Sequence, residues 1–110
     1  MQDTLLWENQ NPSVGFAAQK ITLDLSKYKT ITIVHIPAMS YPKLTLTQKF
    51  LRTSDGFSEG FQHLLNASLM NVILWRYFDI DNTGITFVGG LMNNGTVNND
   101  ACVPLRIYGS

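Results

Sequence analysis

The stretch QKITLDLSKYKTITIVHIP, residues 19–37, decides the fold class, because both of its apolar runs alternate with a period of two. In the first run, Ile21, Leu23 and Leu25 share one face and polar or charged residues occupy the other. The second run, residues 30–36, is rich in β-branched residues and ends at a proline. Such alternation is typical of half-buried strands. The short polar link between the runs predicts that the two strands are antiparallel neighbours.

Two further segments follow this pattern to different degrees. Leu44, Leu46 and Phe50 alternate with polar residues and predict a third strand, with Gln48 as the polar member of its inner face. Residues 57–70 keep both helical and strand spacing. We favour a strand for this segment, because the rest of the chain already requires β pairing.

The second half of the chain predicts several more strands. The run NVILWRYF, residues 71–78, is apolar on both faces, so we expect a central strand or one whose outer face meets another subunit. Residues 84–90 form a further strand. In the last strand, Val103, Leu105 and Ile107 are predicted to point inward. Pro104 lacks an amide donor, which places that strand at a sheet edge.

These strands predict an all-β fold in a single domain. The chain has 110 residues, and short strands separated by Gly and Asn turns are typical of a β-sandwich or jelly roll. We therefore expect one antiparallel, jelly-roll-like β-sandwich over residues 1–110. Residues 1–12 form either an N-terminal arm or the first strand.

The composition excludes several classes of partner. Eight basic residues balance eight acidic ones, so the chain has no excess charge that would attract nucleic acid. No apolar stretch reaches the roughly 18 residues that a membrane-spanning helix needs. The first ten residues lack the basic start and the long apolar run of a signal peptide. We expect neither a nucleic-acid partner nor membrane insertion.

Residue types that carry chemistry are few and scattered. Cys102 is the single cysteine and has no catalytic signature around it, so we expect a structural role. His35 and His63 lie far apart in sequence and do not form a metal-binding motif. The turn DIDNTG, residues 79–84, resembles a calcium loop but has Gly90 where the closing Glu is required, so a hairpin turn is expected. The sequence predicts no enzyme activity, no metal site and no cofactor.

The strongest candidate for an interaction surface is the strand over residues 71–78. Trp75 and Tyr77 share one face of it, and Leu74 and Phe78 lie on the other. A two-layer fold can bury only one of these faces, so we expect the other to meet a neighbouring subunit, with Arg76 available for a contact at the rim or for a cross-strand carboxylate. The alternative is that a loop such as residues 37–43 covers the second face within one chain.

Exposed aromatic residues also suggest contacts with sugar rings. Tyr41 and Tyr108 are candidate carbohydrate contacts, and Trp75 and Tyr77 belong to the same group of outward positions. Packing in the core or at a subunit interface is the competing explanation for all four.

Three blocks of sequence resemble small tail-associated proteins of bacteriophages and prophages of Gram-positive bacteria. The first is LWENQNPSVGFAAQKITLDLSKY, residues 6–28. The second is WRYFDIDNTGITF, residues 75–87, in which an Arg-aromatic strand precedes G-I-T-F. The third is the closing element CVPLRIYG, residues 102–109. These are packing, turn and strand elements and carry no catalytic group.

The resemblance implies a virion structural protein of the tail, baseplate or tail-fibre apparatus. It would be made in the bacterial cytoplasm and would act through subunit interfaces, as a homo-oligomer and with other phage tail proteins. Contact with host cell-surface carbohydrate would be a further role. The alternative is a stand-alone carbohydrate-binding β-sandwich module that is not built into a particle.

Overall fold

The computed structural model describes residues 3–38, 45–52, 56–67, 70–93 and 95–110, and within these ranges the regular structure is entirely β. In chain order the strands are β1 Thr4–Glu8, β2 Gln19–Thr22, β3 Thr30–Ala38, β4 Leu46–Leu51, β5 Gly56–Ala67, β6 Met70–Asp81, β7 Gly84–Phe87, β8 Leu91–Met92, β9 Thr96–Val97 and β10 Ala101–Gly109. The described residues contain no helix that could cross a membrane.

The strands form two antiparallel sheets. Sheet A has the order β1-β10-β3-β4, and sheet B has the order β2-β7-β6-β8-β9, with β5 on the other side of β6. One continuous apolar core joins them, because buried residues of both sheets belong to the same cluster. The rings of Phe50 on β4 and Phe78 on β6 pack edge to face across the core, with centroids 5.5 Å apart.

Strand β6 is the central strand of sheet B, as its two apolar faces predict. It pairs with β5 along its whole length and with β7 and β8 on its other edge. The ambiguous segment 57–70 is a strand as far as Ala67. The two-residue repeat of a strand places both Phe57 and Phe61 on the core side of β5. The inner face of β4 is also confirmed, with Phe50 buried and Leu46 and Gln48 half-buried, whereas Leu44 lies outside the described residues.

The prediction that residues 19–25 and 30–36 pair with each other is wrong. Strand β2 pairs with β7 in sheet B, whereas β3 lies between β10 and β4 in sheet A. After β2, Leu23 and Leu25 continue along sheet B, where their amides donate to the carbonyls of Thr83 and Asn82 over 3.0 Å each. The polar link that follows therefore crosses from one sheet to the other instead of closing a hairpin.

The placement of Pro104 at a sheet edge is also wrong. Strand β10 is an interior strand of sheet A, with β1 on one side and β3 on the other. The missing amide is tolerated because the register with β3 shifts between Pro104 and Arg106, which is a β-bulge. Leu105, the residue at the bulge, is half-buried, whereas Val103 and Ile107 are completely buried, so the inward prediction holds fully for only two of the three.

The N-terminal segment forms a strand, which was one of the two predicted outcomes. Strand β1 pairs antiparallel with β10, and its register shifts between Leu5 and Trp7. Trp7 packs edge to face on Phe16, with ring centroids 5.9 Å apart, and so extends the core under this edge of sheet A.

The acidic segment 79–84 is a hairpin turn, as predicted. Asp81 pairs with Gly84, so Asn82 and Thr83 form a two-residue connection between β6 and β7. The Asp81 carboxylate accepts hydrogen bonds from the backbone amide and the hydroxyl of Thr83, at 2.7 and 2.6 Å. These bonds lower the pKa of Asp81 and stabilise the turn.

Because the Asp81 carboxylate is already used within the turn, we expect no calcium requirement. Addition of EDTA is expected to leave the thermal melting temperature unchanged. The measurement is a pair of melts with and without the chelator. A drop of several degrees that calcium restores would contradict the assignment and make Asp79 and Asp81 metal ligands.

Candidate functional site

A shallow groove of about 490 Å³ lies on the outer face of the β5–β6 ribbon. The register places Gln62 opposite Trp75, Gly60 opposite Tyr77 and Ser58 opposite Asp79. Successive side chains of a strand point to opposite faces, so these six residues share the face that is turned away from Leu74 and Phe78. Trp75 is half-buried in this groove, and 58% of Tyr77 is exposed.

The groove combines aromatic rings with polar groups. The Ser58 hydroxyl donates to the Asp79 carboxylate, and the backbone amide of Gly60 donates to the Glu59 carboxylate over 3.1 Å. A Cβ atom at Gly60 would lie 3.0 Å from Cδ1 of Tyr77, so the tyrosine ring covers the place where a side chain would stand. Such packing of an aromatic ring over a cross-strand glycine stabilises sheets.

The structure decides which face of the strand over residues 71–78 is the outer one. Leu74 and Phe78 are core residues, whereas Trp75 and Tyr77 lie on the outer face. The residues of loop 37–43 beyond 38, which were the alternative cover for that face, lie outside the described residues.

Arg76 is not at the rim of that surface, which corrects the prediction from sequence. It has no exposed area and lies on the same face of β6 as Leu74 and Phe78. The guanidinium group donates six hydrogen bonds of 2.7 to 3.3 Å, all to backbone carbonyls. The acceptors are those of Phe16, Val88, Asn99, Ala101 and Cys102.

This arginine joins three separate segments of chain to β6. The carbonyls come from the loop before β2, the segment after β7 and the start of β10. Burial lowers the pKa of Arg76 to about 10, and the nearby Cys102 acts in the opposite direction, so the group stays charged at neutral pH. We assign Arg76 a structural role, because all of its donors are used within the chain.

Cys102 is a structural residue next to this network. It has no exposed area, and its φ of 50° is unusual for a residue with a side chain. In this conformation its carbonyl reaches Nε of Arg76 at 3.0 Å. Burial raises the pKa of the Cys102 thiol to about 12, which leaves no thiolate for nucleophilic chemistry at neutral pH.

The four aromatic residues named as sugar contacts do not share one surface. Tyr108 is half-buried on β10 in sheet A, opposite Leu5 and Thr32, whereas Trp75 and Tyr77 lie in sheet B. Tyr41 lies outside the described residues. Of the four candidates, only Trp75 and Tyr77 are described on one surface, which is the groove on the β5–β6 ribbon.

A pair of histidines links the two sheets, and sequence reasoning missed it. His35 of β3 and His63 of β5 place their Nε2 atoms 2.7 Å apart, although 28 residues separate them. Phe61 lies against the other side of the pair, with its ring centroid 3.8 Å from that of His35. The two imidazole rings face each other through these nitrogens, because the ring centroids are 4.9 Å apart and the Nε2 atoms only 2.7 Å apart.

The surroundings of the two rings fix the direction of this hydrogen bond. Nδ1 of His35 is buried without a partner, whereas His63 is half-buried. An unpaired buried N–H is rarer in proteins than an unpaired buried acceptor, so we assign the lone pair of His35 to Nδ1, with Nε2 of His35 as the donor and Nε2 of His63 as the acceptor. His63 then carries its proton on Nδ1. Burial lowers the pKa of His35 to about 3, with a contribution from His63, and burial also lowers the pKa of His63.

The described residues contain no group of three or more His, Cys, Asp or Glu side chains that could hold a metal ion. The histidine pair is separated by a hydrogen-bond distance and is already engaged, so we treat it as a structural contact between the sheets.

Comparison of the chain with protein-family models, with curated proteins and with solved structures finds no match.

Proposed function

We propose that the chain is a structural module of a phage tail, baseplate or tail fibre, and that it assembles through the outer face of the β5–β6 ribbon. The observation that carries the proposal is the position of half-buried Trp75 and of Tyr77, which is 58% exposed, on that face and outside the core cluster. Large aromatic side chains in an exposed groove are typical of protein interfaces. The three sequence blocks that resemble tail-associated proteins supply the biological setting.

The sandwich architecture belongs to the same proposal. The two antiparallel sheets share one core, and the chain crosses between them after β1, β2, β4 and β9. A sandwich with jelly-roll connectivity accounts for these crossings and for strands of unequal length. Such a module presents its outer sheet faces to neighbouring subunits.

Replacement of both Trp75 and Tyr77 with Ser is expected to lower the mass of the assembly and to leave the β-type circular dichroism intact. The reason is that the two rings contribute apolar area outside the core. The measurement is light scattering after size-exclusion chromatography of both proteins at equal concentration.

Two variants provide the controls for this experiment. The double variant Leu5→Ser/Val97→Ser removes two apolar side chains that lie outside the groove and are 51% and 67% exposed. It should leave the mass of the assembly unchanged. Leu74→Ser with Phe78→Ser removes two core residues and should unfold the chain. A Trp75/Tyr77 variant that keeps the mass of the wild type would overturn the proposal.

A second candidate function is carbohydrate binding in the same groove. The hydroxyl of Ser58, the amide of Gln62 and the carboxylate of Asp79 lie beside Trp75 and Tyr77, and this combination suits a neutral sugar ring. A stand-alone carbohydrate-binding module would use the groove for ligand instead of subunit contact.

Affinity electrophoresis in gels containing Gram-positive cell-wall polysaccharide separates the two functions. If the groove binds sugar, the polysaccharide retards the wild type, and the Trp75/Tyr77 double variant migrates freely with its mass unchanged. The Leu5/Val97 double variant is the matched control and should be retarded like the wild type. Free migration of the wild type would rule out this ligand.

A further inference from the structure

We propose that strand β5 pairs antiparallel with β5 of a second copy of this chain and so joins two copies of sheet B. The inference rests on the proposed function and specifies the partner and the mode of assembly. It starts from the position of β5, which pairs with β6 over twelve residues and with no other strand in the described ranges.

The hydrogen-bonding direction of β5 follows from its neighbour. The carbonyls of Tyr77 and Ile73 on β6 accept bonds from Val88 and Asn93, on the edge away from β5. In an antiparallel ladder both backbone groups of a residue point to one edge, so the even-numbered residues of β6 bond to β5. Their partners on β5 are odd-numbered.

The backbone groups of Ser58, Gly60 and Gln62 are therefore directed to the open edge. The amide of Gly60 agrees with this direction, because its hydrogen bond goes to the carboxylate of Glu59 and not to β6.

This edge has few of the features that normally prevent strand pairing. Natural edge strands are short or bulged, or they carry Pro or charged side chains, and Glu59 is the single Asp, Glu, Lys or Arg residue of β5. Strands β2 and β9 have four and two residues, β1 has a register shift, and β4 carries Lys49. Strand β5 has twelve residues in unbroken register and contains no Pro, Lys or Arg. Such a long regular edge is suited to pairing with another strand.

The sequence of β5 is complementary to itself in one register. A two-fold axis at Phe61 places Gly60 opposite the partner's Gln62, and each such pair exchanges two backbone hydrogen bonds. The same axis places Glu59 opposite the partner's His63 in a closely spaced pair, where a hydrogen bond between the two side chains would stabilise the antiparallel pairing. An axis at Gly60 or at Gln62 does not match Glu59 with a histidine.

Two local features fit this register. The proton that we assign to Nδ1 of His63 can be donated to the partner's Glu59 carboxylate, which Gly60 no longer needs once its amide is in the ladder. Gly60 has no side chain of its own to clash with the partner's Gln62 across the ladder. The second copy is therefore the occupant that the register and the hydrogen-bonding groups of this edge favour.

The test is the substitution Gln62→Pro in the full chain. Proline removes the amide that faces the open edge and leaves the ladder to β6 intact, so the chain should fold while strand pairing is blocked. Gln62→Ala is the matched control that keeps the amide. The masses of both variants and of the wild type are measured by light scattering, and their folding by circular dichroism and thermal melting.

We expect the Gln62→Pro assembly to have half the mass of the Gln62→Ala assembly, because the two variants lose the same groove side chain and differ in the backbone amide. Glu59→Lys, which replaces the carboxylate acceptor opposite the partner's His63 with a donor, should also weaken the assembly at neutral pH and adds a test that involves no proline. If folded Gln62→Pro and Glu59→Lys both keep the wild-type mass, the edge pairing is wrong while the outer-face interface stands. A wild type that is monomeric at high concentration overturns both proposals.

Discussion

Replacement of Arg76 with Met is expected to destabilise the fold by more than 4 kcal/mol or to prevent folding. Five backbone carbonyls in three segments lose their donor, and an unpaired buried polar group costs about 1–3 kcal/mol. Apolar replacement of a buried charge is harmless only when its partners are replaced too. Here the acceptors are main-chain carbonyls and remain. The measurement is urea unfolding followed by circular dichroism.

Two variants show whether the hydrogen bonds cause the loss. Arg76→Lys keeps the charge but has one nitrogen, which cannot reach carbonyls from all three segments, so we expect most of the loss to persist. Arg106→Met removes the same charge from a half-buried position on β10 and is expected to cost about 1 kcal/mol or less. Equal stability of Arg76→Met and wild type would show that the carbonyls find other donors.

The second large effect is a loss of stability in acid. The pKa of His35 is about 3 in the folded chain and about 6.5 when unfolded, so the unfolded state binds more protons between these values. The contribution of His35 to the free energy of unfolding is therefore fully present above pH 6.5, and it is lost as the pH is lowered toward 3. Between pH 7 and pH 4.5 we expect His35 to account for a loss of about 2.5 kcal/mol. Urea unfolding at a series of pH values measures it.

The variant His35→Gln identifies the source of this pH dependence. Glutamine does not titrate, so the slope of stability against pH should become clearly smaller above pH 4.5, and the slope that remains belongs to His63, whose pKa burial also lowers. The range is chosen above the ordinary pKa of carboxylic acids, which keeps Asp24 and Asp81 out of the measurement. The same slope in wild type and variant would contradict the role of His35.

The core truncations with the largest effect differ from those that alternation alone selects. Leu23 and Leu105 stand at the centre of clear alternating runs, but both are half-buried. Leu25 and Ile107 have no exposed area and belong to the core cluster. Leu25→Ala and Ile107→Ala are each expected to cost about 2–4 kcal/mol, and thermal melts should show smaller losses for Leu23→Ala and Leu105→Ala.

Local sequence pattern was sufficient to identify β2, β3, β4, β6, β7 and β10 as strands, whereas it left residues 57–70 compatible with both helix and strand. Alternation depends only on the two-residue repeat of the extended chain, so it is readable one segment at a time. It placed β3 and β6, and it placed Arg76 on the same face as Leu74 and Phe78. Burial of Arg76 could have been inferred from that position, but the charge favoured a surface role.

Only the tertiary structure decided how the segments meet. Three features involve partners that are distant in the chain. They are the placement of β2 and β3 in different sheets, the bulge at Pro104 and the contact of His35 with His63. The carbonyl acceptors of Arg76 lie 12 to 60 residues away from it. A two-residue repeat fixes the side to which a residue points, whereas its partner depends on how the whole chain closes the core.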